Sequence, residues 1–315
     1  MTDVVTFGEA MAALRGIGPL RLGATMQLSI AGSESNVAIG LARLGHTTQW
    51  VGRVGNDELG ELVRRTLRAE GVDTTAVSID DQRATGLMLF EQRIADIVRV
   101  SYYRAGSAGG AITAADILPS VTPDVRMLHL TGVTAALGPA AADGVGAAAR
   151  RAHESGVAVS LDVNYRKRLW APAAARDTLR PFIAHVDVLF ASEDELTLVA
   201  ADPRADPETV AHQLVADGVG AVVIKRGAAG ATAYTSDGAR TAPARTVHAV
   251  DVVGAGDAFV AGYLSATLDG QDVVARLDRG VSLGAFAVAQ CGDWEGLPTR
   301  EELRLLDVAP GATLR

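Results

Sequence analysis

The sequence predicts an α/β fold in which a mostly parallel central sheet is covered by helices on both faces. Three observations lead to this prediction. Short apolar runs typical of strands alternate with amphipathic helical patterns over most of the chain. The 315 residues are enough to bury a sizeable core. One strand-rich stretch interrupts the alternation and predicts a small additional sheet. In such a fold, ligands bind at the carboxyl ends of the parallel strands.

The first quarter of the chain contains strand and helix signals in alternation. Residues 4–7 predict a strand that ends at Gly8, and the glycine-punctuated stretch up to Ile30 lacks a helical period, so we expect loops and short strands there. A turn at 31–36 carries several side chains that can cap a helix, and an apolar helical pattern follows until Gly45. The pattern then gives, in order, a strand at 47–51, a helix from Asp57 to Gly71, and a strand at 72–79.

The next stretch predicts an antiparallel hairpin. The runs 87–90 and 97–103 are rich in apolar and aromatic residues, and a few polar residues join them. Because it is inserted into a β-α series, the hairpin is a candidate lid that forms a small sheet with part of the preceding glycine-punctuated stretch. We therefore predict a single domain at 1–315 with a lid at about 11–30 and 84–105.

After the hairpin the alternation resumes and continues towards the C-terminus. Predicted strands lie at 127–130, 157–163, 186–190, 221–224, 231–235 and 246–249. Predicted helices lie at 138–155, 172–184, 207–217, 256–268 and 272–290. Strands that are apolar on both sides are expected in a parallel sheet with both faces buried.

Composition and charge exclude several classes of protein. The 29 Lys and Arg residues against 37 Asp and Glu residues give a net charge of −8, so no broad basic surface is available for nucleic acid or an anionic membrane. A single cysteine excludes an internal disulfide, and the N-terminal residues lack the features of a signal peptide. The longest apolar run, 252–268, is too short and too interrupted to span a membrane comfortably. We expect a soluble, cytoplasmic protein.

The stretch 251–259, Asp-Val-Val-Gly-Ala-Gly-Asp-Ala-Phe, is the strongest candidate for a site of chemistry. It opens an apolar helix, and backbone amides at a helix N-terminus bind anions. Gly254 and Gly256 permit backbone conformations and close approaches that a Cβ would block. Asp257 adds a carboxylate, and a base beside an anion site is what phosphoryl transfer to an alcohol requires. The alternative is that the glycines only begin a tightly packed helix, which Asp257 caps.

Polar side chains follow the predicted strand at 157–163. If the extended alternation continues, Asp162, Asn164 and Arg166 lie on one side, at the end of the sheet that faces the predicted cleft. Arg166 could hold a carboxylate or phosphate by a two-point contact. The alternative is a surface arginine paired with a neighbouring acid.

Tyr102 and Arg104 end the hairpin and point the same way if the strand is regular. A cation and a phenol on a movable flap suit an acidic, hydroxyl-bearing substrate. The alternative is an aromatic side chain packed on the sheet beside a solvated arginine.

Two loops leave both a structural and a functional role open. The loop 225–230, Lys-Arg-Gly-Ala-Ala-Gly, joins two predicted strands, so it is either a simple hairpin or a backbone approach to a nucleotide. Residues 192–195, Ser-Glu-Asp-Glu, begin a helix, and their acids complement the helix dipole by default. The alternative is that they help to hold Mg²⁺ through water.

Taken together, these motifs resemble the ribokinase or PfkB family of carbohydrate kinases over nearly the whole chain. The stretch 251–259 is similar to the C-terminal signature of that family, and 31–38, Ala-Gly-Ser-Glu-Ser-Asn-Val-Ala, is similar to the N-terminal one. The resemblance implies a three-layer α/β/α sandwich with a small β-sheet lid. Within the family the chain is most like 2-keto-3-deoxygluconate kinases, by residues 8–11, 102–108, 162–166, 169–170 and 292–296.

The resemblance also implies ligands and site residues. It implies ATP, Mg²⁺ and phosphorylation of the terminal 6-hydroxyl of a sugar acid, and it leaves a monovalent-cation requirement open. Asp257 is implied as the base, with the amides of Gly254, Ala255 and Gly256 as the anion hole. Residues implied at the sugar acid are Gly32, Asn36, Met88, Tyr102, Arg104, Arg166, Asp257 and Asp293. Residues implied around ATP are Asn164, Arg166, Ser192, Lys225, Gly227, Gly230, Gly254 and Gly256. Glu195 is implied as an indirect Mg²⁺ residue, and a homo-oligomer is expected.

Three residues depart from the family pattern. Val252 stands where the family often has Thr, Ser192 takes the place of Asn in an Asn-x-x-Glu motif, and Met88 takes the place of a frequent lid Tyr. These departures leave the metal site and the exact substrate open.

Two alternatives to a sugar-acid kinase remain. One is a kinase of the same fold for a neutral sugar such as fructose or ribose. The other is a nucleotide- or sugar-binding regulator without catalysis. Retention of Asp257 argues against the regulator, because a pure binder needs no base.

Overall fold

The computed structural model describes residues 2–16, 18–94 and 97–308 of the chain, without the side chains of 92–94 and 97–98. Its strands are β1 (Val4–Phe7), β2 (Met11–Gly16), β3 (Met26–Ala31), β4 (Thr48–Gly55), β5 (Val77–Asp80), β6 (Leu87–Ile94), β7 (Ile97–Tyr103), β8 (Met127–Thr131), β9 (Ala158–Asp162), β10 (Val188–Ser192), β11 (Ala221–Lys225), β12 (Ala231–Thr235) and β13 (Gly238–Ala242). Its helices are α1 (Ser33–Arg43), α2 (Glu58–Ala69), α3 (Ala114–Ile117), α4 (Gly132–Ala135), α5 (Pro139–Glu154), α6 (Pro172–Leu179), α7 (Glu193–Leu196), α8 (Pro207–Ala216), α9 (Ala255–Leu268) and α10 (Val273–Val288).

In the described part of the chain, nine strands form the central sheet in the order β13-β12-β11-β10-β9-β8-β1-β4-β5. The strands from β11 to β5 in this order are parallel, and β12 and β13 pair antiparallel at one edge. The chain runs outward from β1 in one direction and later from β8 in the other. The predicted mostly parallel sheet is therefore confirmed, with its order reversing beside β1, where open α/β sheets commonly bind ligands.

Two apolar clusters cover the two faces of this sheet. On β1, Val5 and Phe7 belong to the cluster formed with α5, whereas Val4 belongs to the cluster formed with α1, α9 and α10. Successive residues of a strand point to opposite faces, so alternate apolar residues feed both clusters. The arrangement gives the three layers that the family resemblance implied. None of the helices in the ranges described here has the length and apolar character needed to cross a membrane.

A second sheet in the described residues has four strands in the order β3-β2-β6-β7. The β6–β7 pair is the predicted antiparallel hairpin, and β2 and β3 supply the predicted partner strands from the glycine-punctuated stretch. Its small core contains Met11, Ala13, Ala31, Met88 and Phe90. We call this sheet the lid. The single domain at 1–315 includes residues outside the described ranges and stays a prediction.

One predicted strand is wrong. No regular strand is present at 246–249; the strand instead covers 238–242 and pairs with β12. Thr235 pairs with Gly238 across a two-residue turn, and Gly238 has φ +99°. The signal in the sequence was Ser236-Asp237-Gly238, because glycine accepts the positive φ that tight hairpins require.

Other boundaries also differ from prediction; the strand predicted at 47–51, for example, continues as β4 to Gly55. β5 begins only at Val77, so the predicted strand at 72–79 is shorter than expected. The helix predicted at 172–184 ends as an α-helix at Leu179 and continues as a 3₁₀ turn, because Pro181 cannot donate an amide hydrogen bond.

Candidate active site

The carboxyl ends of the parallel strands bring the predicted polar residues to one edge of the sheet. Glu9 follows β1, Asp162 ends β9, Ser192 ends β10 and Lys225 ends β11. The N-termini of α1 and α9 reach the same edge, because Ser33 on α1 hydrogen-bonds to Asp257 on α9. The site is therefore built from strand ends and helix starts that are fixed in the core.

The glycine turn before α9 requires glycine at Gly254. This residue is the N-cap of α9 with φ +76°, and a Cβ on it would collide with the carbonyl oxygen of Asp293. Gly256 lies in the first turn, where the helix leaves its amide without an intrahelical acceptor. A Cβ built on Gly256 would lie 3.7 Å from Lys225 Nζ. The turn thus presents backbone amides beside a lysine ammonium, which is an anion site.

Asp257 is buried and is held by three side chains from other elements. Its carboxylate accepts hydrogen bonds from Ser33 Oγ at 2.7 Å, from Asn36 Nδ2 at 2.8 Å and from Asn164 Nδ2 at 3.3 Å. Gly254, the N-cap of α9, has no side chain, and within the described residues the hydrogen bonds of the Asp257 carboxylate go to these three side chains and not to an amide of α9. The alternative in which Asp257 caps its own helix is therefore wrong. Its carboxylate is fixed across the cleft between α1, α9 and the loop after β9.

The start of α1 explains how two of these donors reach Asp257. Gly32 is the N-cap of α1, and a Cβ there would collide with the carbonyl oxygen of Glu9. Ser33 and Asn36 are three residues apart and so share one face of the helix. The tight contact at Gly32 packs the start of α1 against Glu9 and Ala10, which follow β1. Gly32 thus acts through backbone packing, while Asn36 contacts Asp257 directly.

Lys225 forms a buried ion pair with Asp162. Its Nζ lies 2.7 and 2.6 Å from the two carboxylate oxygens, and only 17% of the lysine side chain is exposed. Burial lowers the pKa of Lys225, but the Asp162 and Glu195 charges outweigh it, so the pKa is raised overall. Burial raises the pKa of Asp162 to about 6 against the opposing Lys225 charge. Both groups are therefore charged at neutral pH, and a fixed ammonium lies at the anion site.

The strand alternation predicted for 162–166 is wrong. β9 ends at Asp162, and Asn164 has φ +40°, which turns the chain. Asn164 turns inward to Ser33 and Asp257. Arg166 is exposed and donates to the carbonyl oxygen of Tyr165 at 3.3 Å. The structure therefore brings Asn164 to Asp257, whereas Arg166 is exposed, and its contact with substrate or ATP stays a prediction.

Ser192 and Glu195 form a capping box at α7. Ser192 Oγ accepts from the Glu195 amide at 3.3 Å, and Glu195 Oε2 accepts from the Ser192 amide at 2.8 Å. Glu195 Oε1 accepts from the Tyr165 amide at 2.7 Å. The capping interpretation of this motif is confirmed. Within the described residues no cluster of three or more His, Cys, Asp or Glu side chains is arranged to hold a metal ion. An indirect role of Glu195 through water stays a prediction.

The two glycines predicted at the nucleotide have different surroundings. Gly230 has φ +91°, and a Cβ there would collide with the carbonyl oxygen of Ala242 on β13, so strand packing explains it. Gly227 has φ +54°, and no atom lies within 4 Å of its Cβ position. Arg226 donates to Glu193 at 2.7 Å and ties this hairpin to α7. Gly227 is the one of the pair that faces open space.

The lid carries the candidate residues for substrate recognition. Arg104 forms an ion pair with the buried Glu9, whose other oxygen accepts from Ser107 Oγ at 2.6 Å. Met88 and Tyr102 are partners in the β6–β7 register. Met88 is buried in the small core, whereas Tyr102 is 40% exposed. The Arg104 guanidinium lies 5.9 Å from the centre of the Tyr102 ring.

Asp293 is buried and forms an ion pair with Arg15 on β2, a residue that the sequence analysis missed. Burial raises the pKa of Asp293 to about 7, although the Arg15 charge opposes the rise. Arg15 also bonds Asp251 at 3.1 Å. The available signal was the spacing of Met11, Ala13 and Arg15, which places the three side chains on one face of a predicted short strand.

Glu34, beside the donors to Asp257, is a second buried acid that the sequence analysis left without a role. It is fully buried and accepts hydrogen bonds from Thr131 and Thr134. Burial raises the pKa of Glu34 to about 7 against these two hydrogen bonds. It fixes the start of α1 to the end of β8.

The comparisons with known proteins agree with this geometry. The family described as pfkB family carbohydrate kinase matches residues 1–300. The chain is similar to a 2-dehydro-3-deoxygluconokinase from Bacillus subtilis, with 36% identity over 96% of this chain and 94% of that protein. It is also similar to a 2-dehydro-3-deoxygalactonokinase from Haloferax volcanii, with 31% identity over 96% of each chain. Among solved structures, a ribokinase II from E. coli in complex with ATP and Mg²⁺ superposes with a TM-score of 0.88 at 25% identity, covering 98% of this chain and 99% of that one.

Proposed function

Because the chain belongs to the pfkB family of carbohydrate kinases, we propose that it uses ATP to phosphorylate the 6-hydroxyl of 2-keto-3-deoxygluconate, also called 2-dehydro-3-deoxygluconate. The observation that carries the proposal is the buried Asp257 carboxylate, fixed by three donors beside the amides and ammonium of an anion site. A positioned base next to an anion site is the minimum that phosphoryl transfer to an alcohol needs.

In the proposed reaction, Asp257 accepts the proton of the 6-hydroxyl while that oxygen attacks the γ-phosphorus of ATP. A bond forms between the sugar oxygen and phosphorus, the bond to the β-phosphate oxygen breaks, and ADP leaves. The amides at Gly254–Gly256 and the Lys225 ammonium hold the negative charge on the transferred group. Ser33, Asn36 and Asn164 keep the Asp257 carboxylate aimed at the hydroxyl.

ATP and its metal fit the same edge of the sheet. Gly227 leaves open space beside β11, and Ser192 and Asn164 lie on neighbouring strand ends. Mg²⁺ keeps several waters when it binds nucleotides, so few protein ligands are needed. Glu195 would hold its waters, since its carboxylate is fixed by two backbone amides. When bound, Mg²⁺ supplies charge neutralisation at the phosphates.

Arg104 supports a sugar acid as the substrate class. It is a cation at the end of the lid hairpin, 5.9 Å from the centre of the Tyr102 ring, and a guanidinium recognises a carboxylate by paired hydrogen bonds. Gluconate and galactonate derivatives are both named among the relatives' substrates, so the C4 configuration is part of the test.

A neutral-sugar kinase is the second candidate. The observation that favours it is that Arg104 is already paired with Glu9, while Arg166 is exposed and donates to the carbonyl oxygen of Tyr165. Each of the two arginines thus contacts a group of the protein itself. The lid would need to present Arg104 to the substrate for the first proposal to hold.

A coupled ADP-release assay over a substrate panel tests the proposal. We expect kcat/KM for 2-keto-3-deoxygluconate or its galacto epimer to exceed that for fructose and ribose by about 10²-fold, the value of one charge-assisted contact to the carboxylate that these neutral sugars lack. Gluconate keeps the carboxylate, so its rate shows what the 2-keto and 3-deoxy groups contribute. Phosphorus–proton NMR of the product should place the phosphate on O6. Fructose or ribose as the best substrate would replace the proposal by the second candidate. Omitting K⁺ from the assay, and gel filtration, test the monovalent-cation and homo-oligomer predictions.

A further inference from the structure

Arg15 is a buried lid residue that the proposed reaction leaves without a role. It lies on β2, and 10% of its side chain is exposed. Phe90 on β6 is its partner in the register and places its ring under the guanidinium, 3.9 Å from Arg15 Cζ. The lid therefore holds the guanidinium in one orientation by a cation–π contact.

The two terminal nitrogens of the Arg15 guanidinium donate hydrogen bonds to two acids that lie beside the glycine turn before α9. One nitrogen donates to Asp251 Oδ2 at 3.1 Å, and the other donates to Asp293. These contacts join positions 236 and 278 residues apart in the chain. They are the kind of two-acid contact that the planar guanidinium makes and an ammonium cannot reproduce.

Asp251 and Asp293 flank the glycine turn on both sides. Asp251 begins the turn, and its carboxylate also accepts from the amides of Val253 at 3.1 Å and Gly292 at 3.3 Å. The carbonyl oxygen of Asp293 packs against Gly254, the N-cap of α9. Arg15 therefore reaches the anion site through both acids without lying in it.

We propose that Arg15 is a positioning residue that locks the anion-hole turn to the lid, so that lid and turn keep one spacing when substrate is bound. The inference rests on the proposed function and adds to it a link between the lid and the glycine turn. Misplacing the turn by about 1 Å is enough to slow an oriented reaction about 10²-fold.

Arg15 also compensates the charge of buried Asp293. That carboxyl is faced by Arg15 from β2, by Asp257 from α9 and by Glu295 from its own loop, and Asp251 shares the same guanidinium. Of these groups, Arg15 is the one that lowers the pKa of Asp293, while Asp257 and Glu295 raise it. Without Arg15, Asp293 binds its proton at higher pH.

The test compares Arg15→Met and Arg15→Lys with Arg21→Gln, a control at an exposed arginine of the lid connection. For Arg15→Met we expect kcat to fall about 10–10²-fold. We also expect the acid limb of kcat/KM to move up by about 1 pH unit, and amide hydrogen exchange at residues 251–257 to become faster. Arg15→Lys should show the same three changes with smaller amplitude, and Arg21→Gln should match the wild type.

Two outcomes overturn the inference. One is an active wild type whose Arg15→Met variant keeps the wild-type acid limb and the wild-type exchange at 251–257. If Arg15→Met does not fold, the second is an Arg15→Lys variant that matches the wild type in kcat, in the acid limb of kcat/KM and in the exchange at 251–257. If the proposed function fails instead, the wild type turns over no sugar acid. Comparing amide exchange at 251–257 between the wild type and Arg15→Met then still tests whether Arg15 holds the turn in place.

Discussion

The catalytic half of the cleft and the lid half differ in how completely they are assembled. On the catalytic side, the Asp257 carboxylate has three donors within 3.3 Å, and the Lys225 ammonium lies against both oxygens of Asp162. On the lid side, Arg104 is bound to the protein's own Glu9, and Tyr102 is 40% exposed. The groups that we propose for chemistry are thus in place without substrate, whereas the arginine that we propose for recognition is held by an internal acid.

The difference follows from what supports each half. Catalytic side chains lie on helix starts and strand ends that two large apolar clusters fix in the central sheet. The lid has a small core of five buried residues. It meets the rest of the molecule through Ile30 of β3, which belongs to one of the large clusters, and through polar contacts such as Arg15 to Asp293. Elements with few buried apolar contacts open most easily. We therefore expect the lid to be the half that changes on binding.

Replacing Asp257 gives the largest expected effect. Asp257→Asn keeps an acceptor for Ser33 and removes the base, so turnover should fall about 10²–10⁴-fold while ATP and sugar binding persist. Stopped-flow turnover and calorimetric binding measure the two quantities. Asp272→Asn is the matched control, because Asp272 also starts a helix but caps it through Ala275 at 2.9 Å. Near-normal turnover in Asp257→Asn would show that Asp257 is not the base.

Replacing Lys225 should have the next largest effect. Lys225→Met removes the ammonium beside Gly256 and should lower kcat about 10²-fold, as expected for one lost group at a developing charge. The single variant also leaves Asp162 buried without its partner, which destabilises the fold. The double variant Lys225→Met and Asp162→Asn has no unpaired buried charge, so we expect it to regain thermal stability without regaining turnover. Turnover that returns with stability would make Lys225 structural only.

A smaller effect concerns Glu34, which lies below the donors to Asp257. Its pKa is raised to about 7 in the fold from a usual 4.5, so the folded state binds a proton that the unfolded state has lost between those values. The free energy of unfolding should therefore fall as pH rises from about 4.5 to 7. Glu34→Gln keeps an acceptor for Thr131 and should be more stable above pH 7 by on the order of 2 kcal/mol. Urea unfolding at pH 5 and pH 8 measures this; equal pH dependence in both proteins would contradict it.

Most of the fold and part of the candidate site could be predicted from the sequence. Period-two and period-3.6 patterns predicted the parallel sheet and the lid hairpin, because those patterns are local. The glycine turn, Asp257 and Asn36 could be found because their motifs lie within a few residues of one another.

The contacts that join distant parts of the chain could not be predicted in this way. Arg15 meets Asp293 across 278 residues, and no local pattern reports such a pair. The alternation predicted for 162–166 was wrong because it assumed an extended chain, whereas Asn164 takes a positive φ. The strand at 238–242 was missed because a two-residue turn was read as loop.

The substrate preference of Arg104→Gln tests the division between the two halves most directly. The measurement is the ratio of kcat/KM for 2-keto-3-deoxygluconate to that for the 3-deoxyhexulose with a hydroxymethyl group in place of the carboxylate. We expect a ratio of about 10–10² in the wild type and close to 1 in Arg104→Gln, with kcat little changed, because a charged contact is lost and the base is not. The exposed Arg99→Gln on the lid should keep the wild-type ratio. A ratio that Arg104→Gln leaves unchanged would contradict the account.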